Sequence, residues 1–258
     1  MKDRSDGLVA RVALVVGGFG GIGSAITAAL QAAGAQVIVA GRTPARDRPV
    51  DQGRSLAATS YCVCDVRDPA NCRALAEQVT NRHGRLDIVI DCSNPTVTGV
   101  AGRFRDANPG HFGAFLEAKP GALFNLCHAM LPLLSAGRGG AILAFTSDAG
   151  RVAGPNQAIV GASSAAVTMF VRSLALEIAA EGIRINCIST SFVRDTPIYA
   201  EVLAGPRASR AHNAGQRAQL GLPVPGNLAD LALFLCGPGA SHLTGQVVSV
   251  NGGLSSGL

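Results

Sequence analysis

Short apolar runs alternate along this chain with longer segments whose apolar residues recur at helical spacing. The runs are Val12–Val16, Gln36–Ala40, Ser60–Cys64, Leu86–Asp91, Ala141–Thr146, Arg184–Ser189 and Val247–Val250. Each is short, bounded by turn residues and apolar almost throughout, as strands covered on both faces are. Between the last long runs, Val167, Phe170, Val171, Leu174 and Ile178 fall on one face of a helix. The alternation predicts an α/β chain: a seven-stranded parallel sheet with helices on both faces.

No linker interrupts the pattern, so residues 1–258 are read as one domain. The helix around Leu123–Leu134 is apolar nearly all round, which fits burial or sharing with another subunit. The stretch 194–225 is long, rich in Gly, Pro, Arg and Ala, and weakly patterned; it is expected to be a substrate lid. No apolar run approaches the roughly 18 to 20 residues of a membrane span. The N-terminal residues lack the apolar core of a signal peptide, and a cytoplasmic protein is expected.

Composition narrows the partners. Charged residues are only 15% and hydrophobic residues 48%, which excludes a disordered chain. The net charge of +5 is carried mainly by scattered arginines, and aromatics are 4% without Trp. That is poor material for stacking nucleic-acid bases. It suits anionic small molecules such as a dinucleotide or an acyl thioester of coenzyme A. Seven cysteines without CxxC spacing predict buried thiols and no metal site.

The first strand runs into Gly17-Gly18-Phe19-Gly20-Gly21-Ile22-Gly23 and then a helix. Glycines at such a junction allow a tight turn and close approach to a pyrophosphate, which the helix N-terminus then faces. The placement predicts a Rossmann fold and a dinucleotide site. The second strand ends in Gly41-Arg42, where an acidic residue would bind the adenosine ribose; an Arg accommodates a 2′-phosphate. Arg42, with Arg46 and Arg48 nearby, therefore favours NADP over NAD.

These features resemble the short-chain dehydrogenase/reductase family along nearly the whole chain. Val16 through Gly23 is similar to its TGxxxGxG motif. Cys64-Asp65-Val66 is similar to the Asp-Val pair beside the adenine, and Gly245 through Gly253 to its C-terminal strand and turn. The resemblance implies that Gly17, Phe19, Gly21, Ile22, Gly23, Arg42, Asp65 and Val66 hold the cofactor and that Thr196 touches the nicotinamide amide. The family's catalytic motifs match less well. Its Asn-Asn-Ala-Gly reads Asp91-Cys92-Ser93-Asn94, its helical Asn maps to Ala118, and its Pro-Gly turn reads Thr190-Ser191. Only its Ser is kept, as Ser147.

The family's Tyr moves the substrate proton, and its Lys, four residues on, lowers the Tyr pKa and holds the ribose. Counting from Ser147, those positions are Val160 and Ser164. No Tyr or Lys lies between Lys119 and Tyr199, so no shift of register restores the pair.

Other groups are open to two readings each. Asp91 is a base, or it bonds neighbouring amides. Asp148 is a base, or solvated. Tyr199 reaches into the cleft, or packs within the lid. His128 belongs to the core or an interface. Asp91, Ser147 and Tyr199 are the candidate catalytic residues. The expected function is that of a non-catalytic subunit in a homo- or hetero-oligomer with an active relative, acting on a hydroxyacyl or ketoacyl thioester or a similar alcohol or ketone. The alternatives are an enzyme of altered chemistry in the same cleft, such as an atypical reductase, dehydratase, isomerase or cyclase, and an NADP-binding regulator.

Overall fold

The computed structural model describes residues 7–43, 59–94, 99–137 and 139–255. Seven parallel strands form one sheet: β1 (Val12–Val16), β2 (Gln36–Gly41), β3 (Ser60–Val63), β4 (Ile88–Asp91), β5 (Gly140–Ser147), β6 (Ile183–Thr190) and β7 (Val247–Ser249). Their order is β3-β2-β1-β4-β5-β6-β7. The order reverses between β1 and β4, and a crevice opens there at the carboxyl ends of the strands.

Alternation within each strand divides the core into two layers. Val12, Leu14 and Val16 of β1 face the layer of α2 (Pro69–His83), α4 (Ala122–Ala136) and α5 (Ala158–Ile178). Ala13 and Val15 face the layer of α1 (Gly21–Ala32) and α8 (Pro225–Cys236). Cys62 and Cys64 share the first face, as their spacing requires. Asp87 sets the foot of the sheet: its carboxylate accepts from Val12 N–H at 2.9 Å, Arg11 at 2.9 Å and Arg85 at 2.5 and 3.0 Å. Burial pushes this carboxyl up, but the bonds from Arg85, Val12 and Arg11 outweigh it and hold it below the ordinary carboxylate range.

Three features differ from the sequence expectation. The stretch 194–225 is no open loop: it holds α6 (Pro197–Ala204) and α7 (Ala208–Arg217). Thr196 caps α6, accepting from Tyr199 N–H at 3.2 Å, and Pro197 follows at the first helical position. The helix Ala158–Glu181 is, by length and a mean hydropathy of 1.6, long and apolar enough to cross a membrane. Its packing identifies it instead as a core helix: Val167, Val171, Leu174 and Ile178 lie buried against the sheet. His128 is exposed on α4, which excludes the core alternative and leaves the interface one.

A second helix, α3 (Gly110–Leu116), runs into α4 through a π-helical turn, Glu117–Gly121, that contains Pro120. Proline removes a helical N–H and crowds the preceding turn, and the wider π turn accommodates it. Such turns re-aim side chains and recur at functional sites.

Candidate functional site

The crevice is a cleft of about 580 Å³. Its outer half is the junction of β1 with α1. Gly17 adopts φ +73°, and a Cβ on it would lie 2.8 Å from the Cys92 carbonyl oxygen. Gly20 N–H donates to Gly17 O at 2.9 Å and closes the turn. The N–H groups of Gly21, Ile22 and Gly23 then open α1 with no acceptor inside the helix and no acidic side chain in its first turn. A pyrophosphate fits this cradle in shape and charge.

Arg42, after β2, and Asp65 and Val66, after β3, line the end of the cleft beside those strands, where the sequence expects adenosine. Arg67 joins them and donates to both oxygens of Asp65, at 2.9 and 2.5 Å. Those bonds hold the Asp65 carboxyl below its ordinary range against the opposing pull of partial burial, and Arg42 adds to the effect. Two guanidinium groups therefore share this end with one carboxylate. Phe19 packs on Tyr61 at 5.2 Å, and the Tyr61 hydroxyl reaches the Gly41 and Thr43 carbonyls at 2.8 and 2.5 Å, fixing the end of β2. All nine residues expected to hold the cofactor line this one cleft: Gly17, Phe19, Gly21, Ile22, Gly23, Arg42, Asp65, Val66 and Thr196. Arg46 and Arg48 lie outside the described residues.

The inner half is formed by Ser147, Val160, Ser163, Ser164, Thr190 and Ser191, with Cys92 and Ser93 at its floor. Ser147 Oγ accepts from Ala149 N–H at 3.2 Å and keeps its proton for another partner. Val160 lines the cleft with no titratable atom. Ser164 is buried, and its carbonyl accepts from Thr146 and Thr168 at 3.4 and 3.1 Å. Ser163 Oγ is buried without a partner.

The other candidates separate by environment. Asp91, 1% exposed, does not line the cleft; it lies beneath the floor, where its Oδ1 accepts from Ser93 N–H at 2.9 Å. That is the amide-bonding role rather than the role of a base. Asp148 is not solvated. It is buried, and its carboxylate accepts from Ser189 and Ser249 at 2.7 Å and from Asn251 at 2.8 Å. Tyr199 lines the cleft, but its ring also packs against Phe192 at 6.4 Å, alongside Ala214, Ala218 and Leu222. Thr196 and Pro197 sit directly on the cradle: a Cβ on Gly21 would come 2.8 Å from Thr196 Cγ2 and 3.2 Å from Pro197 Cδ. Burial pushes the Cys92 and Cys127 thiols up, and Cys187 and Cys236 up to about 12, so none of these four is a thiolate near neutrality.

Lys119 is the functional candidate that sequence reasoning passed over. It projects from the π turn into the cleft beside Ala118, with a side chain 11% exposed. Its ammonium donates to Ser93 O at 3.0 Å and lies 3.9 Å from Asp91 Oδ2, an oxygen with no hydrogen-bond partner. The signal was present in the sequence: one of two lysines in the chain, followed at once by Pro120-Gly121.

Comparison with known proteins finds relatives along nearly the whole chain. The family described as enoyl-(acyl carrier protein) reductase matches residues 17–255. The tropinone reductase homolog of Datura stramonium is 31% identical over 256 residues, covering 97% of this chain and 94% of that protein. Dehydrogenase/reductase SDR family member 4 of Sus scrofa is 30% identical over 259 residues, covering 99% and 91%. Among solved structures, a short-chain type dehydrogenase/reductase from Mycobacterium ulcerans superposes with a TM-score of 0.84 at 25% identity, over 95% of this chain and 90% of that one.

Proposed function

This chain belongs to the short-chain dehydrogenase/reductase family, and on that premise we propose that it holds NADP in its cleft and serves as the non-catalytic subunit of a hetero-oligomeric oxidoreductase. One observation carries the reading. The nine cofactor-contact positions converge on one cleft, while the two positions for the proton-transfer pair carry Val160 and Ser164. When bound, the dinucleotide supplies or accepts a hydride. The Gly17–Gly23 turn holds its pyrophosphate, Asp65 and Val66 border the adenine, and Arg42 faces the 2′-phosphate. Neither Val160 nor Ser164 moves the proton that must accompany the hydride.

An active relative supplies that step in the assembly. The substrate class is a hydroxyacyl or ketoacyl thioester, or a similar alcohol or ketone. The match to a family of enoyl-(acyl carrier protein) reductases supports this class by analogy. The face offered to the partner is the outer side of α4 and α5, where Phe124, Met169 and Leu176 are exposed.

A second reading, turnover in this chain's own cleft, is favoured by Lys119 and Tyr199 both lining it. Native purification with intact-mass analysis separates the two. We expect a second family member with an intact Tyr-Lys pair at equal stoichiometry, tighter binding of NADP than of NAD, and no turnover by this chain alone. A homo-oligomer that reduces ketones with NADPH by itself would replace the first reading with the second.

A further inference from the structure

We propose that Lys119 anchors the ribose of the inner, nicotinamide half of the dinucleotide, bringing from the π turn before α4 the cation that Ser164 does not provide on α5. The proposal rests on the dinucleotide reading of the cleft and adds a residue to it.

The cations lining the cleft are unevenly placed. Arg42 and Arg67 stand at the adenosine end; toward the inner end, Lys119 is the only basic residue among the described lining residues. An ammonium is strongly hydrated, and burying it is unfavourable unless it is paired and hydrogen-bonded. Lys119 is 11% exposed, yet its bonding is incomplete. Of its three N–H donors, one is met by Ser93 O at 3.0 Å, and Asp91 Oδ2 at 3.9 Å is beyond hydrogen-bond reach.

Unused hydrogen-bonding groups gather around the same space. Ser163 Oγ, on a residue 1% exposed, has no partner. Ser147 has an unspent hydroxyl proton. The π turn that carries Lys119 packs against α5, which carries Ser163 and Ser164.

Charge selects the ligand class. Lys119 and Asp91 balance each other, so the inner half is a neutral site rich in donors and not a phosphate or carboxylate site. A neutral, hydroxylated group with several acceptor oxygens suits it, and a ribose diol is such a group. The cradle at Gly17–Gly23 fixes the direction: with the pyrophosphate there and the adenosine toward Asp65, the second ribose extends toward Ser93, Lys119 and Ser147.

The test is calorimetric titration of the full-length chain with two probes, NADP+ and adenosine 2′,5′-bisphosphate, which carries only the outer half. Lys119→Met is expected to weaken NADP+ binding roughly ten- to hundredfold. It should leave the bisphosphate within about twofold, because that probe does not reach the inner half. Adding Ser164→Lys to Lys119→Met returns most of the lost NADP+ affinity from the other helix. If Lys119→Met does not fold, Lys119→Gln keeps a donor for the Ser93 carbonyl and is expected to show the same selective loss.

Equal losses for both probes, or no loss for either, would overturn the anchor. So would a wild-type chain that binds NADP+ no more tightly than the bisphosphate. A wild-type chain that binds neither probe removes the dinucleotide reading itself, and the anchor with it.

Discussion

Asp87, Asp91 and Asp148 are all buried, and their neighbours give each a different task. Asp91 holds the turn after β4 through Ser93 N–H, and Asp87 ties β1 to the residues before β4. Replacing Asp87 by Asn removes a charge from four hydrogen bonds. It should destabilise the fold by about 1–3 kcal/mol near neutral pH, kept modest because both partner arginines are half exposed. The pH dependence has a definite sign. The folded carboxyl titrates below its ordinary value, so its contribution is full above the unfolded pKa of about 4 and is lost as pH falls through the depressed folded value. Urea unfolding of wild type and Asp87→Asn should therefore differ less at about pH 3 than at about pH 7.

These assignments show what a residue's type conceals. The residues that line the outer half of the cleft were legible because glycine spacing and strand ends fix them locally. The surroundings of Asp148 were not. Its partners Ser189 and Asn251 lie 41 and 103 positions away, and only the closed sheet brings them together.

At the scale of elements, the strands were legible to within two residues because burial on both faces writes them as apolar runs. The two helices of 194–225 were harder to read. Thr196-Pro197 is a readable start signal, but the buried face of α7 is made of alanine alone, Ala211 and Ala214, among Ser, Arg, His, Asn, Gly and Gln. The π turn has no periodic signature of its own, which is why Lys119 went unnoticed.

The cluster around Asp148 acts on elements rather than on chemistry. It joins the segment after β5 to Ser189 of β6, Ser249 of β7 and Asn251 just beyond. Asp148→Ala leaves two buried donors, Ser189 and Asn251, and the half-buried Ser249 without this acceptor and is expected to cost about 2–4 kcal/mol. Chemical denaturation should show this as a lower midpoint with an unchanged slope.

For the whole molecule, the notable surface is the outer side of α4 and α5. Leu176 is 84% exposed, Met169 59% and Phe124 39%, with Phe124 packed against Phe170 at 4.4 Å, the rings tilted by 44°. Ala162 and Ala165 continue the strip with small side chains that permit close helix approach. For the assembly proposed above, Leu176→Arg combined with Met169→Glu should raise the dissociation constant at least about thirtyfold. Sedimentation velocity at several concentrations reads this directly; an unchanged distribution would remove this face from the proposed assembly. The sequence hinted at this face through the apolar helix around Leu123–Leu134, but the most exposed of these side chains is on α5.

The seating of Thr196 and Pro197 on Gly21 has a kinetic consequence. The Gly17–Gly23 turn lies against the start of α6, and Ile198, Tyr199 and Val202 of the same helix line the cleft. On the dinucleotide reading proposed above, α6 would have to swing aside for nucleotide to enter or leave. Exchange should then follow the opening rate of α6 and saturate with nucleotide concentration, giving long residence times even where equilibrium affinity is ordinary.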